Sequence, residues 1–123
     1  MRFAQALGIL LGIGVIGAAT PAAAAYEWHD CVISKVQLIA VSPGTSSPRV
    51  GVECTASTAG GISWFSFLTQ SDIDHAKMLL STLTAAKIAG RSVTIGFEGT
   101  DTSGSSWGCN AADCRPILQV IMH

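Results

Sequence analysis

Ser71 to Gly90, SDIDHAKMLLSTLTAAKIAG, carries a helical repeat in a chain that otherwise reads as strands. At 100° per residue, Ile73, Ala76, Leu79, Leu80, Leu83 and Ala86 fall on one stripe, the pattern of a helix laid against a core. Ser71 suits the N-cap, with Asp74 three residues on as its capping-box-like partner. Asp72 and Asp74 place negative charge at the positive end of the helix dipole. Gly90 suits the left-handed position that ends a helix. The opposite face, Asp74, Met78, Ser81, Thr82, Ala85 and Ala89, is small and weakly polar. Alanine favours helix anywhere. A solvated face usually carries more charge, so this one also reads as a packing surface.

Around the helix the sequence predicts strands. CVISKVQLIAV, residues 31–41, is β-branched and aliphatic, with imperfect alternation that suits a bent or bulged strand. SPGTSSP, residues 42–48, is a loop by composition. Residues 49–55 alternate, with Val50, Val52 and Cys54 on one face and Arg49, Gly51 and Glu53 on the other. ISWFSFLT, residues 62–69, is an aromatic strand, and Trp64 within it reads as core. After the helix, residues 91–98 set Val93, Ile95 and Phe97 on one side. A polar loop follows over residues 99–114, long enough to be functional or stapled. PILQVIMH, residues 116–123, is the last strand, with its proline tolerated at the start. The order β-β-β-α-β-β is that of the five-stranded OB-fold barrel, a mainly β architecture with its helix between the third and fourth strands. A ferredoxin-like fold needs a helix after the first strand, and an immunoglobulin-type sandwich needs about seven strands and no long helix.

The N-terminus reads as a signal peptide. Arg2 precedes the apolar run LGILLGIGVIGAA, residues 7–19, and TPAAAA supplies small residues for cleavage after Ala24 or Ala25. The expected division is therefore a leader over residues 1–25 and a single OB-fold domain over residues 26–123, secreted or periplasmic. The apolar run is short for a membrane span, and nothing after Tyr26 is long and apolar enough to make one.

From Tyr26 onward six Lys or Arg stand against eight Asp or Glu, a net charge near −2. No basic patch exists to bind nucleic-acid phosphates or an anionic membrane surface. Cys31, Cys54, Cys109 and Cys114 are an even set behind an export signal, which predicts two disulfides. Three connectivities are open. The short CNAADC loop favours Cys109 with Cys114, leaving Cys31 with Cys54 to join the start of the first strand to the end of the second. Metal binding would need a spacing closer to C-x2-C, so no metal or cofactor is expected.

Catalysis finds little support. His29, His75 and His123 lie in none of the motifs that mark a metalloprotease or a nucleophile elbow. Asp72 and Asp74 are better explained as helix-start charges than as an acid–base pair, and an enzyme is not expected. Binding finds more. Sugars are held by an aromatic face under the ring and planar polar groups around it. Trp107 lies in the long loop beside Asp101, Ser105, Ser106 and Asn110. Trp28 lies with Tyr26, His29 and Asp30 before the first strand. Trp28, His29, Asp30, Asp101, Trp107 and Asn110 are therefore the candidate ligand residues, each with packing as its competing role.

Several features taken together resemble the B subunits of bacterial AB toxins, most closely the subtilase cytotoxin B subunit and its typhoid- and pertussis-toxin-like relatives. They are the leader, DCVISKVQL opening the domain, Trp64 and Phe67 before the helix, the helix running into AGRSVTIGFE, and CNAADC near the C-terminus. The resemblance spans most of residues 26–115 and rests on order and spacing. It implies an OB fold, a homopentamer with helices around a central pore, binding of sialylated or other host glycans, and a toxin A subunit as partner. The serine that holds sialic acid in the subtilase-type subunits has no counterpart in Tyr26-Glu27-Trp28-His29. The cysteines are also placed differently, and the chain runs past CNAADC into an apolar strand. The expectation is a secreted, glycan-binding B-type subunit. The alternative is a stand-alone exported OB-fold interaction module with neither sugar binding nor catalysis.

Overall fold

In the computed structural model, residues 25–40 and 47–123 are described, and the alternating segments of the sequence pair as strands. The expected leader, up to residue 24, and most of the loop at 42–48 lie outside the described residues. The architecture is mainly β, with two sheets and, among the described residues, one α-helix. Strands β1 (Tyr26–Cys31), β5 (Val93–Glu98) and β7 (Gln119–Met122) form one sheet in the order β1-β5-β7. Strands β2 (Ile33–Ile39), β3 (Arg49–Cys54), β4 (Trp64–Leu68) and β6 (Cys114–Pro116) form the other, in the order β2-β3-β4-β6. All pairings are antiparallel except β4 with β6.

The chain passes between the sheets at two places. The first strand expected at residues 31–41 begins instead at Tyr26 and breaks at Val32, so β1 joins one sheet and β2 the other. The Val32 carbonyl accepts from Thr55 N–H at 2.9 Å, and the β2–β3 register shifts just beyond. The last strand, expected to run through residues 116–123, is likewise divided into β6 and β7. Ile117 N–H donates to Ser66 on β4, and Leu118 N–H donates to Gly96 on β5, both at 2.9 Å.

The predicted inward sets are the core. Val50, Val52 and Cys54 on β3 and Val93, Ile95 and Phe97 on β5 are buried. Phe65 is buried on β4, with its ring 4.9 Å from that of Phe97. Because alternation places Phe65 inward, Trp64 and Ser66 face the other way. The core position expected for Trp64 is taken by its neighbour, and Trp64 is half-buried on the outer side.

The helix α1 (Ile73–Ile88) packs on β2, β3 and β7 through Ala76, Leu83 and Ala86, which are buried, with Leu79 and Leu80 partly so. Ile73, placed on the buried stripe by its periodicity, is 57% exposed in the first turn. The N-cap is Asp72 rather than Ser71. Asp72 Oδ1 accepts from His75 N–H at 3.0 Å, while Ser71 ends a short 3-10 turn over Thr69–Ser71. Hydrogen bonds from the His75 backbone and side chain hold the Asp72 carboxyl below its ordinary value. Gly90 takes the left-handed conformation expected of it, φ 65°. On the opposite face Met78, Ser81, Ala85 and Ala89 are exposed.

The disulfides follow the expected pairing, Cys31–Cys54 and Cys109–Cys114. Cys31 ends β1 and Cys54 ends β3, so the first of these joins the two sheets where the chain crosses at Val32. Replacing Cys31 and Cys54 together by alanine is expected to remove about 3 kcal/mol of stability, read from urea denaturation. The same change at Cys109 and Cys114, which closes a shorter loop, is expected to remove less. An unchanged midpoint in the first variant would contradict this assignment.

Candidate ligand-binding surface

The outer face of the β1-β5-β7 sheet follows directly from its register. Tyr26, Trp28 and Asp30 alternate along β1 and oppose Glu98, Gly96 and Thr94 on β5. Gly96 and Thr94 in turn oppose Gln119 and Ile121 on β7. Tyr26 and Trp28 are 58% and 50% exposed, with ring centroids 6.1 Å apart and planes inclined at 39°. The indole lies over Gly96. A Cβ at that position would come within 2.7 Å of the Trp28 ring, so the absence of a side chain lets the ring lie against the sheet. The result is an aromatic platform fixed by backbone on one side and open to solvent on the other.

One row along the same face, three polar groups form a chain. Thr94 Oγ1 donates to Asp30 Oδ1 at 2.7 Å, and His123 Nε2 lies 2.6 Å from the same Thr94 oxygen. Arg91 donates to the His123 carbonyl at 3.0 Å, which ties the end of the chain to this face. Planar hydrogen-bonding groups therefore stand beside the aromatic rings.

The sequence-derived candidates divide between several places. Trp28 and Asp30 share the platform face. His29 points to the other side of β1, with its ring 6.0 Å from that of buried Phe65 and Nε2 2.9 Å from the Ala56 carbonyl. Alternation along a strand requires this split, because neighbouring residues cannot face the same way. Sequence alone does not place Thr94, Gly96, Gln119 and His123 beside Trp28. Strand alternation was their only signal, and it becomes informative once β1 is known to start at Tyr26.

Asp101, Trp107 and Asn110 each organise their own stretch of the long loop. Asp101 Oδ1 accepts from Ser103 N–H at 2.9 Å at the start of a 3-10 helix over Ser103–Trp107. Trp107 packs against Gly104, where a Cβ would come 3.0 Å from the ring, and its carbonyl accepts from Arg49 at 3.2 Å. Asn110 Oδ1 accepts from Ala112 N–H at 3.0 Å, and its carbonyl accepts from Cys114 N–H at 2.8 Å, which shapes the disulfide loop. Among the described residues no three His, Cys, Asp or Glu side chains are grouped so as to hold a metal ion, and no helix is long and apolar enough to cross a membrane.

No protein-family model, curated protein or solved structure matches this chain.

The Asp101 carboxyl lies below its ordinary value of 3.8, chiefly through hydrogen bonds from the Ser103 side chain and backbone, with Arg115 adding favourable charge. A depressed carboxyl contributes stability above the unfolded-state value, and that contribution disappears as pH falls through the lower folded-state value. Asp101→Asn is therefore expected to be less stable than the parent at pH 7. The difference should shrink as pH falls below 3.8. Thermal unfolding of both proteins across that range checks it, and a gap independent of pH would contradict it.

Proposed function

We propose that this chain is an exported, glycan-binding subunit of the AB-toxin B type, built on an OB barrel and assembled as a homopentamer. The single observation that carries the binding claim is the exposed Tyr26–Trp28 pair over Gly96, bordered by the Asp30–Thr94–His123 chain. Aromatic faces offer area to the apolar side of a sugar ring at small entropic loss. Carboxylate, hydroxyl and imidazole groups beside them can take up the hydroxyls. Nothing in this arrangement requires a nucleophile or an acid–base pair, and a binding role without catalysis suits it.

The barrel reading rests on the two crossings between sheets. If β1 and β2 are one bent strand and β6 and β7 another, the pairings describe a five-strand circuit. Each strand then has two neighbours, and the third and fifth run parallel. The helix between the third and fourth strands completes the OB order. The two disulfides fit an oxidising compartment, secreted or periplasmic.

The oligomer is supported by the outer helix face, where Met78 and Ile88 are exposed beside the small residues Ser81, Ala85 and Ala89. Small side chains permit close approach between helices, and the face carries little charge to desolvate. A partner A subunit belongs to the same proposal through the toxin resemblance.

Two measurements test the reading. A glycan array is expected to give defined hits that Trp28→Ala abolishes while its circular dichroism stays native; an array without hits removes the sugar claim. Native mass measurement is expected to give a pentamer that Ala85→Glu with Ala89→Glu converts to a folded monomer. A parental monomer at micromolar concentration removes the assembly claim and leaves the stand-alone module.

A further inference from the structure

The other sheet carries a recess that the platform does not use. On its outer face, Gln37, Gly51 and Ser66 stand in one row across β2, β3 and β4. Gly51 has no side chain between the other two; a Cβ there would lie 3.4 Å from Ser66 Oγ and 3.9 Å from Gln37. Gln37 and Ser66 of this row line a cleft of about 210 Å³. Arg49, Trp64, Asn110 and Asp113 complete its walls. The volume suits a single small polar molecule, since clefts for drug-sized ligands begin near 300 Å³.

Two groups in this cleft are under-used by the fold. Ser66 is 4% exposed, and its hydroxyl has the Cys114 sulfur at 3.5 Å as its neighbour. That sulfur belongs to a disulfide, carries no proton and is a weak acceptor. Ser66 is thus buried and lines the recess, and among the described residues its hydroxyl has no oxygen or nitrogen partner. Arg49 is the second. The ion pairs among the described residues are Lys35–Glu53 and His75–Asp72, and Arg49 is in neither. Its guanidinium is held in place by the Trp107 carbonyl at 3.2 Å and lies against Gly108, where a Cβ would come within 2.5 Å. One nitrogen of this cation is anchored, and Arg49 lines the cleft.

We propose that this cleft is a second ligand site, for a small molecule bearing a carboxylate and a nearby hydrogen-bond donor. The carboxylate sits on Arg49, where the planar guanidinium can pair with it through two hydrogen bonds. Ser66 donates to the same ligand from the floor. Asp113, also in the wall and not ion-paired with Arg49, takes the ligand's hydroxyl or ammonium. Trp64 covers the apolar side, and the Gln37 and Asn110 amides close the rim. A phosphate dianion fits less well, because its second charge would meet Asp113. Acidic sugars and free amino acids share the required chemistry, and the experiment separates them. The site lies on the opposite sheet from Trp28, so its failure and that of the platform are independent.

The test is a titration of the full-length, 15N-labelled protein with D-glucuronate, L-serine and D-glucose, followed by NMR. Saturable shifts of the Trp64 indole N–H and the Arg49 Nε–H with glucuronate or with serine are expected, and the acid that binds names the source. Glucose, which lacks the carboxylate, is expected to leave these signals in place. Arg49→Gln is expected to weaken binding at least tenfold. Ser66→Ala, which leaves the Arg49 anchor to Trp107 intact, is expected to weaken it as well. Absence of saturable shifts with both acids, equal binding of glucose, or affinity untouched by Ser66→Ala in a protein with a native spectrum would each overturn the proposal.

Discussion

The structure depends on one corner. At Val32 the chain leaves the sheet of β1, β5 and β7 and enters that of β2, β3, β4 and β6. A strand that bends this sharply loses a ladder position, and here the loss is met by the Val32 carbonyl accepting from Thr55. The Cys31–Cys54 disulfide lies beside the bend and is buried with the core, so both sheets are joined covalently as well as by packing. The second crossing, at Ile117–Leu118, uses hydrogen bonds alone: one N–H donates to each sheet in turn. Phe65 and Phe97, one from each sheet, meet between these corners, and Leu83 of the helix is buried in the same core. A domain of this size buries a limited area, and such staples offset what its core lacks.

The corners also decide what faces outward. With inward positions occupied by Val93, Ile95 and Phe97, β5 turns Thr94 and Gly96 to the surface, and β1 sets Asp30 and Trp28 beside them. Trp28 lies flat because Gly96 has nothing to displace it. On the second sheet the same alternation buries Phe65 and turns Trp64 and Ser66 out toward Gly51. Each outer face therefore carries a tryptophan and a glycine, with the Trp28 ring over Gly96 on one sheet and Gly51 beside Ser66 on the other. In both places the outward set follows from which residues the core has claimed.

Much of this was legible in the sequence, because period-2 and period-3.6 patterns report burial directly. The faces of β3 and β5 and the position of the helix follow from such patterns, its Gly90 end follows from glycine's freedom to turn left-handed, and the favoured disulfide pairing follows from the short Cys109–Cys114 spacing. The helix start was less legible. Ser71 and Asp72 are both good caps, and the choice between them is made by the preceding 3-10 turn, a tertiary feature. The outward position of Trp64 was hidden because WFSF places aromatics on both faces, and size alone suggested the core. The extent of β1 was hidden as well. Tyr26–Asp30 is polar on most positions, and its strand conformation comes from pairing with β5 rather than from a hydrophobic alternation of its own. Without β1, Trp28 stands beside Tyr26 and Asp30 but apart from its neighbours on β5 and β7, and His29, which serves the interior, falls in the same group.

The proposed glycan recognition depends on an indole held flat by Gly96. Its most direct measurement is the affinity of the Gly96→Ala protein for a glycan bound by the parent, with amide exchange on β5 and β7 as the check on folding. The added methyl would collide with the Trp28 ring and tilt it away from the sheet. The account requires affinity to fall at least tenfold while amide protection is retained. Equal affinity in the two proteins, or no glycan bound by the parent, would contradict it.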